Sequence, residues 1–437
     1  IAFVRKMKPA GSPVKNLRWW IAALLFASMV INYIDRQTLS ALAPIFSKQY
    51  GWTNADFALL LISFRVAYTV MQAVSGRILD ELGTRRGLAL SVSFYSLVAA
   101  LTATVQSVSG FRVYRFCLGA GEAANWPGAV KAASEWFPPK ERAWAVALFD
   151  SGTSLGGVIA PFVALSIYQW SGDWRAVFVL TGSLGAIWIA IWLVCYHPPQ
   201  RHPRISPREL AYIEHGQSPG KADSPQWPMV GWRQLLSYRQ TWGIMLGRFL
   251  LDPYWFFVSE WFPLFLKSQA FTLQQSVLGT AAPLVASVFG NFVGGALSSY
   301  WIRRGWSVGR SRRAVLAWFG PSMIIIVVSL FSTDYATLIG LFSYGNFAYS
   351  ACSTMFLSLP ADVFHSRAVA SASGLAGTAA GIGTLVSTYL IGQIADRYSF
   401  QPIVLAASLV PCLAAMVFVW LVRAGAKADP RHVVLDF

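Results

Sequence analysis

Apolar stretches, each long enough to form a membrane-spanning helix, recur along the whole chain. A helix needs roughly 20 mainly apolar residues to cross the hydrocarbon core of a bilayer. Twelve such stretches are present, at residues 18–41, 54–78, 87–108, 111–132, 143–168, 174–196, 241–267, 277–302, 313–332, 335–359, 366–392 and 400–424. Because 55% of the residues are hydrophobic and only 12% are charged, the composition is not that of a soluble globular domain. The sequence therefore predicts an all-α membrane protein with twelve transmembrane helices.

The basic residues of the loops predict how the chain is oriented in the membrane. They are concentrated in the N-terminal segment, in the loops after spans two, four and eight, and in the long middle loop. The positive-inside rule places these loops and both termini in the cytoplasm. The middle loop is rich in Pro, Gly, Ser and charge, as inter-domain linkers are. The predicted organisation is a cytoplasmic N-terminal segment (1–17), an N-terminal six-helix half (18–196), a cytoplasmic linker (197–240), a C-terminal six-helix half (241–424) and a cytoplasmic tail (425–437).

The residues that usually bind metals or nucleic acids are scattered in this chain. The net charge of +16 would suit nucleic acid, but the basic residues are distributed among loops instead of being clustered. The four cysteines lie in or at the edge of apolar spans, with no spacing that indicates a disulfide framework or a metal site. The five histidines lie in loops or tails, and we find no metal-ligand set, phosphate loop or nucleophile arrangement. We expect no metal, no cofactor and no nucleic-acid partner, and the pattern disfavours a membrane-embedded enzyme.

Four of the charged residues inside predicted spans of the N-terminal half form two close pairs, and ionised side chains at such depth are costly and usually functional. Asp35 and Arg36 are adjacent in span one, and Arg115 and Glu122 share a face of span four, two turns or about 10 Å apart. A carboxylate can exchange a proton, whereas a guanidinium stays charged and can bind a carboxylate in a bidentate pair. We therefore predict proton coupling by Asp35 and Glu122, and binding of a substrate anion by Arg36 or Arg115. Adjacent helical residues point about 100° apart, so Asp35 and Arg36 should face different partners. Static ion pairs between helices are the alternative interpretation.

Other polar and aromatic residues in the spans could bind hydroxyl groups of a substrate. The candidates are Tyr68, Gln72, Asn125, Thr153, Tyr254, Tyr344 and Asn346. Each could instead form hydrogen bonds between helices or lie at the membrane interface. Arg65 is a further candidate, because a second guanidinium in the cavity would suit a dianion. If Arg65 pairs with an acid elsewhere, the substrate could be a monoanion.

A short motif between spans two and three predicts a latch on the cytoplasmic side. Its sequence is Gly76-Arg77-Ile78-Leu79-Asp80-Glu81-Leu82-Gly83-Thr84-Arg85-Arg86. This pattern, G-x-x-x-D-x-x-G-x-R-R, resembles the cytoplasmic signature of the major facilitator superfamily, although Glu81 stands where the superfamily usually has a basic residue. Asp80 could accept hydrogen bonds from helix N-termini or arginines of the facing half, while Arg85 and Arg86 anchor the loop. Gly76, Asp80, Gly83, Arg85 and Arg86 are the predicted gating residues.

Further motifs resemble the anion:cation symporter family of that superfamily. They are Tyr33-Ile34-Asp35-Arg36, Ala67-Tyr68-Thr69-Val70-Met71-Gln72, Arg115 with Glu122, and Ser134-Glu135-Trp136-Phe137-Pro138-Pro139-Lys140-Glu141-Arg142. The run Gly247-Arg248-Phe249-Leu250-Leu251-Asp252-Pro253-Tyr254-Trp255 resembles the hexuronate and sugar-acid branch. Arg65 and Asp150 depart from the family pattern, in which these positions are uncharged. The sequence leaves the role of Asp150 open.

The resemblance implies a secondary active transporter that imports an organic anion, such as a hexuronate, by proton symport and alternating access. The energy source would be the proton gradient, and the partners would be the substrate anion, protons and the lipid bilayer. The expected location is the inner membrane of a bacterial cell, and the expected state is a monomer. A dianion such as an aldarate or phthalate is the alternative substrate. A drug exporter on the same fold is more remote, because it would need a mostly apolar cavity.

Overall fold

The computed structural model describes residues 13–215 and 230–422, and the regular elements of these residues are helices. The α-helices are α1 (Leu17–Tyr50), α2 (Asn54–Leu82), α3 (Thr84–Leu101), α4 (Val108–Glu122), α5 (Asn125–Trp136), α6 (Pro139–Ser171), α7 (Trp174–Cys195), α8 (Pro207–His215), α9 (Trp232–Leu235), α10 (Arg239–Phe256), α11 (Phe262–Ser268), α12 (Leu273–Arg303), α13 (Val308–Ser322), α14 (Tyr335–Val363), α15 (Val369–Arg397) and α16 (Gln401–Leu421). A π-helical turn, Phe257–Trp261, joins α10 to α11, and a 3-10 helix, Met323–Phe331, extends α13. The predicted tail 425–437 and most of the predicted segment 1–17 lie outside the described residues.

Nine helices in the described part of the chain are long and apolar enough to cross a membrane. The other three predicted spans coincide with α4 and α5, with α10, the π-helical turn and α11, and with α14. Two of these three are interrupted. α4 ends at Glu122, and Pro253, which cannot donate the helical hydrogen bond, lies just before the π-helical turn. The all-helical fold is confirmed, whereas the count of twelve spans stays a prediction.

Two main hydrophobic cores divide these helices into an N-half (α1–α7) and a C-half (α10–α16). Leu25, Trp136 and Trp192 are buried in the N-half core, and Phe342 and Phe418 in the C-half core. Within the N-half, α1 packs against α6, and α2 against α4; within the C-half, α12 packs against α14, and α10 against α15 and α16. Each half is therefore a helix bundle with a core of its own.

The halves meet along two helix pairs, α2 with α15 and α6 with α12. At Gly76 of α2, an added Cβ would lie 2.3 Å from the carbonyl oxygen of Ala370. At Gly374 of α15, an added Cβ would lie 2.3 Å from the carbonyl oxygen of Gln72. Such close approach requires glycine, and small residues are typical where membrane helices pack tightly.

The helix α8 holds part of the predicted linker against the N-half. The Glu209 carboxylate accepts hydrogen bonds from the backbone N–H groups of Leu17 and Arg18, at 3.0 and 3.2 Å. These N–H groups open α1 and have no partner within that helix, and the helix dipole favours an anion beside them. The described part of the linker therefore contains a helix that caps α1.

Candidate transport site

An ion pair between Arg36 of α1 and Glu122 of α4 lies within the N-half. The Arg36 atoms Nε and Nη2 lie 3.0 and 2.9 Å from Glu122 Oε2. The Glu122 side chain is fully buried, whereas 16% of the Arg36 side chain is exposed. Arg115 Nη2 donates to the carbonyl oxygen of Arg36 at 3.2 Å. The structure thus brings three of the four predicted charged residues together, with Arg36 as the most accessible of them.

Several buried polar atoms around this pair have no hydrogen-bond partner among the described residues. They are both carboxylate oxygens of Asp35, the atoms Nε and Nη1 of Arg115, and Oε1 of Glu122. Buried polar groups are almost always hydrogen-bonded, and a buried charge without a partner is costly. A proton on a carboxylate, or an anion on a guanidinium, would relieve this cost. The arrangement is therefore suited to binding both.

Three aromatic rings surround the Arg36 guanidinium. Its Cζ lies 4.7 Å from the ring centroids of Tyr33 and Tyr68, and 4.9 Å from that of Phe64. A cation over an aromatic face gains about 0.5–2 kcal/mol, more when water is excluded. The rings hold the planar guanidinium and leave its edge for hydrogen bonds. The candidate Tyr68 is therefore placed beside Arg36.

Five other neutral candidates have contacts outside this cluster. Asn125 hydrogen-bonds to α1, Thr153 to a carbonyl of its own helix, and Asn346 to a carbonyl of α12. Gln72 faces α15, where a Cβ on Gly377 would overlap its side-chain oxygen. Tyr344 is exposed and stacks on Phe347. These contacts are those of helix packing.

A second ion pair lies on α10 of the C-half. Arg248 Nε donates to Asp252 Oδ2 at 3.1 Å, and the Tyr349 hydroxyl lies 3.5 Å from Asp252 Oδ1. The Trp255 ring stacks on Tyr349. The candidate Tyr254 is buried on the same helix, and its hydroxyl has no hydrogen-bond partner in the part of the chain that the structure describes. The C-half therefore has its own polar and aromatic group.

Arg65 does not stand free in a cavity. It forms an ion pair with Glu260 of the π-helical turn, and its guanidinium lies 5.2 Å from the Phe256 ring centroid. Arg65 belongs to α2, so the pair joins the two halves. The structure therefore gives Arg65 an acid partner, which is one of the two outcomes that the sequence left open.

Asp80 of the predicted latch contacts both halves. Its Oδ1 accepts from Lys131 Nζ at 2.6 Å, and its Oδ2 accepts from the backbone N–H of Ser371 at 2.7 Å. The N–H of Ala370 is 3.3 Å from Oδ1. Ala370 and Ser371 open α15, whose N-terminal N–H groups and dipole favour an anion. The carboxylate is thus positioned between a buried lysine and a helix N-terminus.

The other latch candidates shape the turn that follows. Gly83 has a φ of 79° where α2 ends and α3 begins, a backbone conformation that favours glycine. Arg85 donates to the carbonyl oxygen of Leu193 in α7, and Arg86 is exposed. These two arginines therefore contact the N-half or solvent.

The sequence did not single out a second charged group that joins the halves. Arg142 of α6 pairs with Asp362 of α14, whose other oxygen accepts from Arg312 Nε at 2.9 Å. Both arginines are completely buried, although the sequence indicated Arg312 only as a basic loop residue and Arg142 only as a basic residue within a family motif. Lys131 lies at the edge of predicted span four, where the cost of an intramembrane charge is the signal that could have identified it.

Two packed helical bundles with buried ion pairs at and beside their interface have the architecture of a secondary transporter. The chain belongs to the Major Facilitator Superfamily, whose sequence profile matches residues 25–388. The predicted resemblance to this superfamily is confirmed.

Individual relatives agree with this membership. The hexuronate transporter of Escherichia coli (strain K12) is 35% identical over 418 residues, which cover 94% of this chain and 94% of that protein. The galacturonate transporter of Dickeya chrysanthemi is 36% identical over 284 residues, 64% of this chain and 81% of that protein. The solved structure of a proton:xylose symporter has a TM-score of 0.70 at 15% identity and covers 92% of this chain and 95% of its own. The protein is therefore a transporter and not an enzyme.

Proposed function

We propose that this protein imports a hexuronate or a related sugar acid by proton symport. The observation that carries the proposal is the buried pair of Arg36 and Glu122, a guanidinium suited to a carboxylate beside an acid that can bind a proton. Relatives named as hexuronate and galacturonate transporters support the substrate class. A proton gradient is then the source of energy.

The ion pair suggests how proton and anion are coupled. While Glu122 is ionised, it occupies the Arg36 guanidinium through two hydrogen bonds. A proton on Glu122 weakens that pair and leaves Arg36 for the substrate carboxylate. Because burial of an unpaired charge costs several kcal/mol, the site closes readily only when it carries both proton and anion, or neither. Asp35, which is also buried, would take part in the proton path, and Arg115 would contribute positive charge.

The contacts of Arg65 favour a monoanion over a dianion. A second carboxylate would need a second accessible guanidinium, whereas Arg65 is already paired with Glu260 and Arg115 is only 3% exposed. An aldarate or phthalate therefore stays the alternative substrate. A drug exporter is less compatible with the charged groups around Arg36.

The same proposal includes membrane orientation and movement. The apolar stretches support twelve spans, and the charge distribution and the bacterial relatives support cytoplasmic termini and an inner-membrane location. The proposed state is a monomer. The halves would rock about the central site, and the latch residues Gly76, Asp80, Gly83, Arg85 and Arg86 would close the cytoplasmic side. The remaining candidates Tyr68, Gln72, Asn125, Thr153, Tyr254, Tyr344 and Asn346 would support the site directly or through packing.

Uptake into proteoliposomes tests the proposal. Glucuronate uptake should rise when the outside is made acidic, and Glu122→Gln should abolish this stimulation while keeping exchange of labelled for unlabelled glucuronate. Glu214→Gln is the matched control, because Glu214 is exposed on α8. The proposal fails if uptake by the unaltered protein ignores the pH gradient.

A thermal-shift screen separates the substrate classes. Glucuronate, galacturonate and galactonate should raise the unfolding temperature of the purified protein. Stabilisation by glucarate, galactarate and phthalate alone would instead support the dianion alternative.

A further inference from the structure

Asp150 of α6 is a buried acid at the interface of the halves. It is 8% exposed. With the Asn291 amide oriented so that its nitrogen faces the carboxylate, Nδ2 lies 3.2 Å from Asp150 Oδ2. In the reverse orientation the amide oxygen faces the carboxyl group, and a hydrogen bond between them then forms only when Asp150 carries a proton. Because Asn291 belongs to α12, this hydrogen bond joins the N-half to the C-half.

The charged surroundings of Asp150 come from three helices. The titratable groups that act on it or feel its charge are Arg248 and Asp252 of α10, Tyr349 of α14 and Tyr33 of α1. Of these groups, only Arg248 is a cation, and it already pairs with Asp252. The two carboxyl groups therefore share the charge of one guanidinium, whose hydrogen bonds go to Asp252.

The net charge of Asp150, Asp252 and Arg248 therefore depends on how many protons the two acids carry. With both acids ionised, the group carries one uncompensated negative charge in a buried position, which is costly. One proton on Asp150 or Asp252 removes that charge. When two acids interact this strongly, the proton belongs to the pair.

We propose that Asp150, sharing Arg248 with Asp252, binds one further proton that crosses the membrane with the substrate. This inference rests on the proposed proton symport and adds to the protons assigned to Asp35 and Glu122. The N-half carries Asp150, and the C-half carries Arg248 and Asp252. Rocking of the halves therefore changes the contact between these groups, and the proton enters when they face water on one side and leaves when they face the other.

The number of protons moved per substrate tests this directly. In proteoliposomes held at zero membrane potential, the pH difference that stops net glucuronate movement at a fixed glucuronate ratio is inversely proportional to that number. Asp150→Asn should move one proton fewer, so the balancing pH difference increases, by a factor of about 1.5 if three protons become two and about 2 if Asp35 and Glu122 carry a single proton between them. Asp334→Asn is the control, since Asp334 is an exposed helix cap and asparagine caps equally well.

A second variant strengthens the test and covers a folding failure of the first. In Asp252→Asn, Asp150 is the remaining acid and stays ionised to compensate the charge of Arg248. This variant should therefore also move one proton fewer per substrate. The double variant should lose no more than either single variant, because both acids hold one shared proton. A larger loss in the double variant would overturn the sharing.

Failure of this inference can be told from failure of the proposed function. If the unaltered protein has no balancing pH difference, proton symport itself is wrong. If it has one and Asp150→Asn keeps the same value, the additional proton is wrong, even if the KM for glucuronate changes, because Asp150 would then only position neighbouring groups.

Discussion

At the scale of single residues, Arg36 combines two kinds of contact, hydrogen bonds to a carboxylate and packing against aromatic rings. Its guanidinium donates twice to Glu122 and lies against the rings of Tyr33, Phe64 and Tyr68. Lysine would keep the charge, but its ammonium group has neither the planar fork nor the flat face that these contacts use. The identity of this residue therefore depends on geometry as well as on charge.

Arg36→Lys should weaken substrate binding strongly while the protein still folds. Hydrogen bonds to charged groups contribute about 1.5–3 kcal/mol, so we expect the glucuronate affinity to fall about 10- to 150-fold. Binding by the purified protein and the KM for uptake measure this. Arg175→Lys is the matched control, because 40% of the Arg175 side chain is exposed and its nearest carboxylate oxygen, on Asp173, is 3.5 Å away. An unchanged KM in Arg36→Lys would contradict a bidentate role.

At the scale of helices, the contact between α2 and α15 depends on one carboxylate. Asp80 accepts hydrogen bonds from the N-terminus of α15 and from Lys131, which is only 5% exposed. A helix N-terminus and a buried ammonium each favour a negative charge. Gly76, one turn before Asp80, allows α2 to pack closely against α15. This packing places the Asp80 carboxylate beside the start of α15.

Asp80→Asn should lower stability by about 3–5 kcal/mol, because it removes the negative charge that accepts from the buried Lys131 ammonium and from the start of α15. Thermal unfolding in detergent measures the loss. Adding Lys131→Met should recover part of it, since methionine needs no counter-charge. Glu81→Gln is the neighbouring control, expected to stay within about 0.5 kcal/mol as exposed substitutions do. A double variant no more stable than Asp80→Asn would argue against the Lys131 contact.

The sequence could predict the residue types at the site better than their pairing. Asp35, Arg36, Arg115 and Glu122 could be identified from the sequence, because a charged residue in an apolar span is costly however the helices pack. That Arg36 pairs with Glu122 depends on the rotation of α1 against α4, which no local pattern encodes. For the same reason, the sequence could not predict that Asn125 would bond to α1.

At the scale of the whole molecule, charged contacts join the halves at two levels along α2. Asp80 lies near its C-terminal end, and Arg65, near its middle, pairs with Glu260. The fifteen residues from 65 to 80 span about 22 Å at 1.5 Å per residue. Under the proposed alternating access, these contacts must break in turn. The sequence predicts the charged residues and their spacing along a helix. It does not predict which residues of the C-half they contact, because the two halves are separated by a long loop.

A covalent link between the halves should therefore stop transport. An added Cβ at Gly295 of α12 would lie 3.5 Å from Cβ of Ala147 on α6, a separation that a disulfide can bridge. In a background without the four native cysteines, oxidation of Gly295→Cys/Ala147→Cys should suppress glucuronate uptake, and a reducing agent should restore it. Each single variant, oxidised in the same way, should keep its activity. If the cross-linked protein transports as fast as its reduced form, then α6 and α12 do not separate here, and the rigid rocking of the halves would have to be replaced by local movement around Arg36.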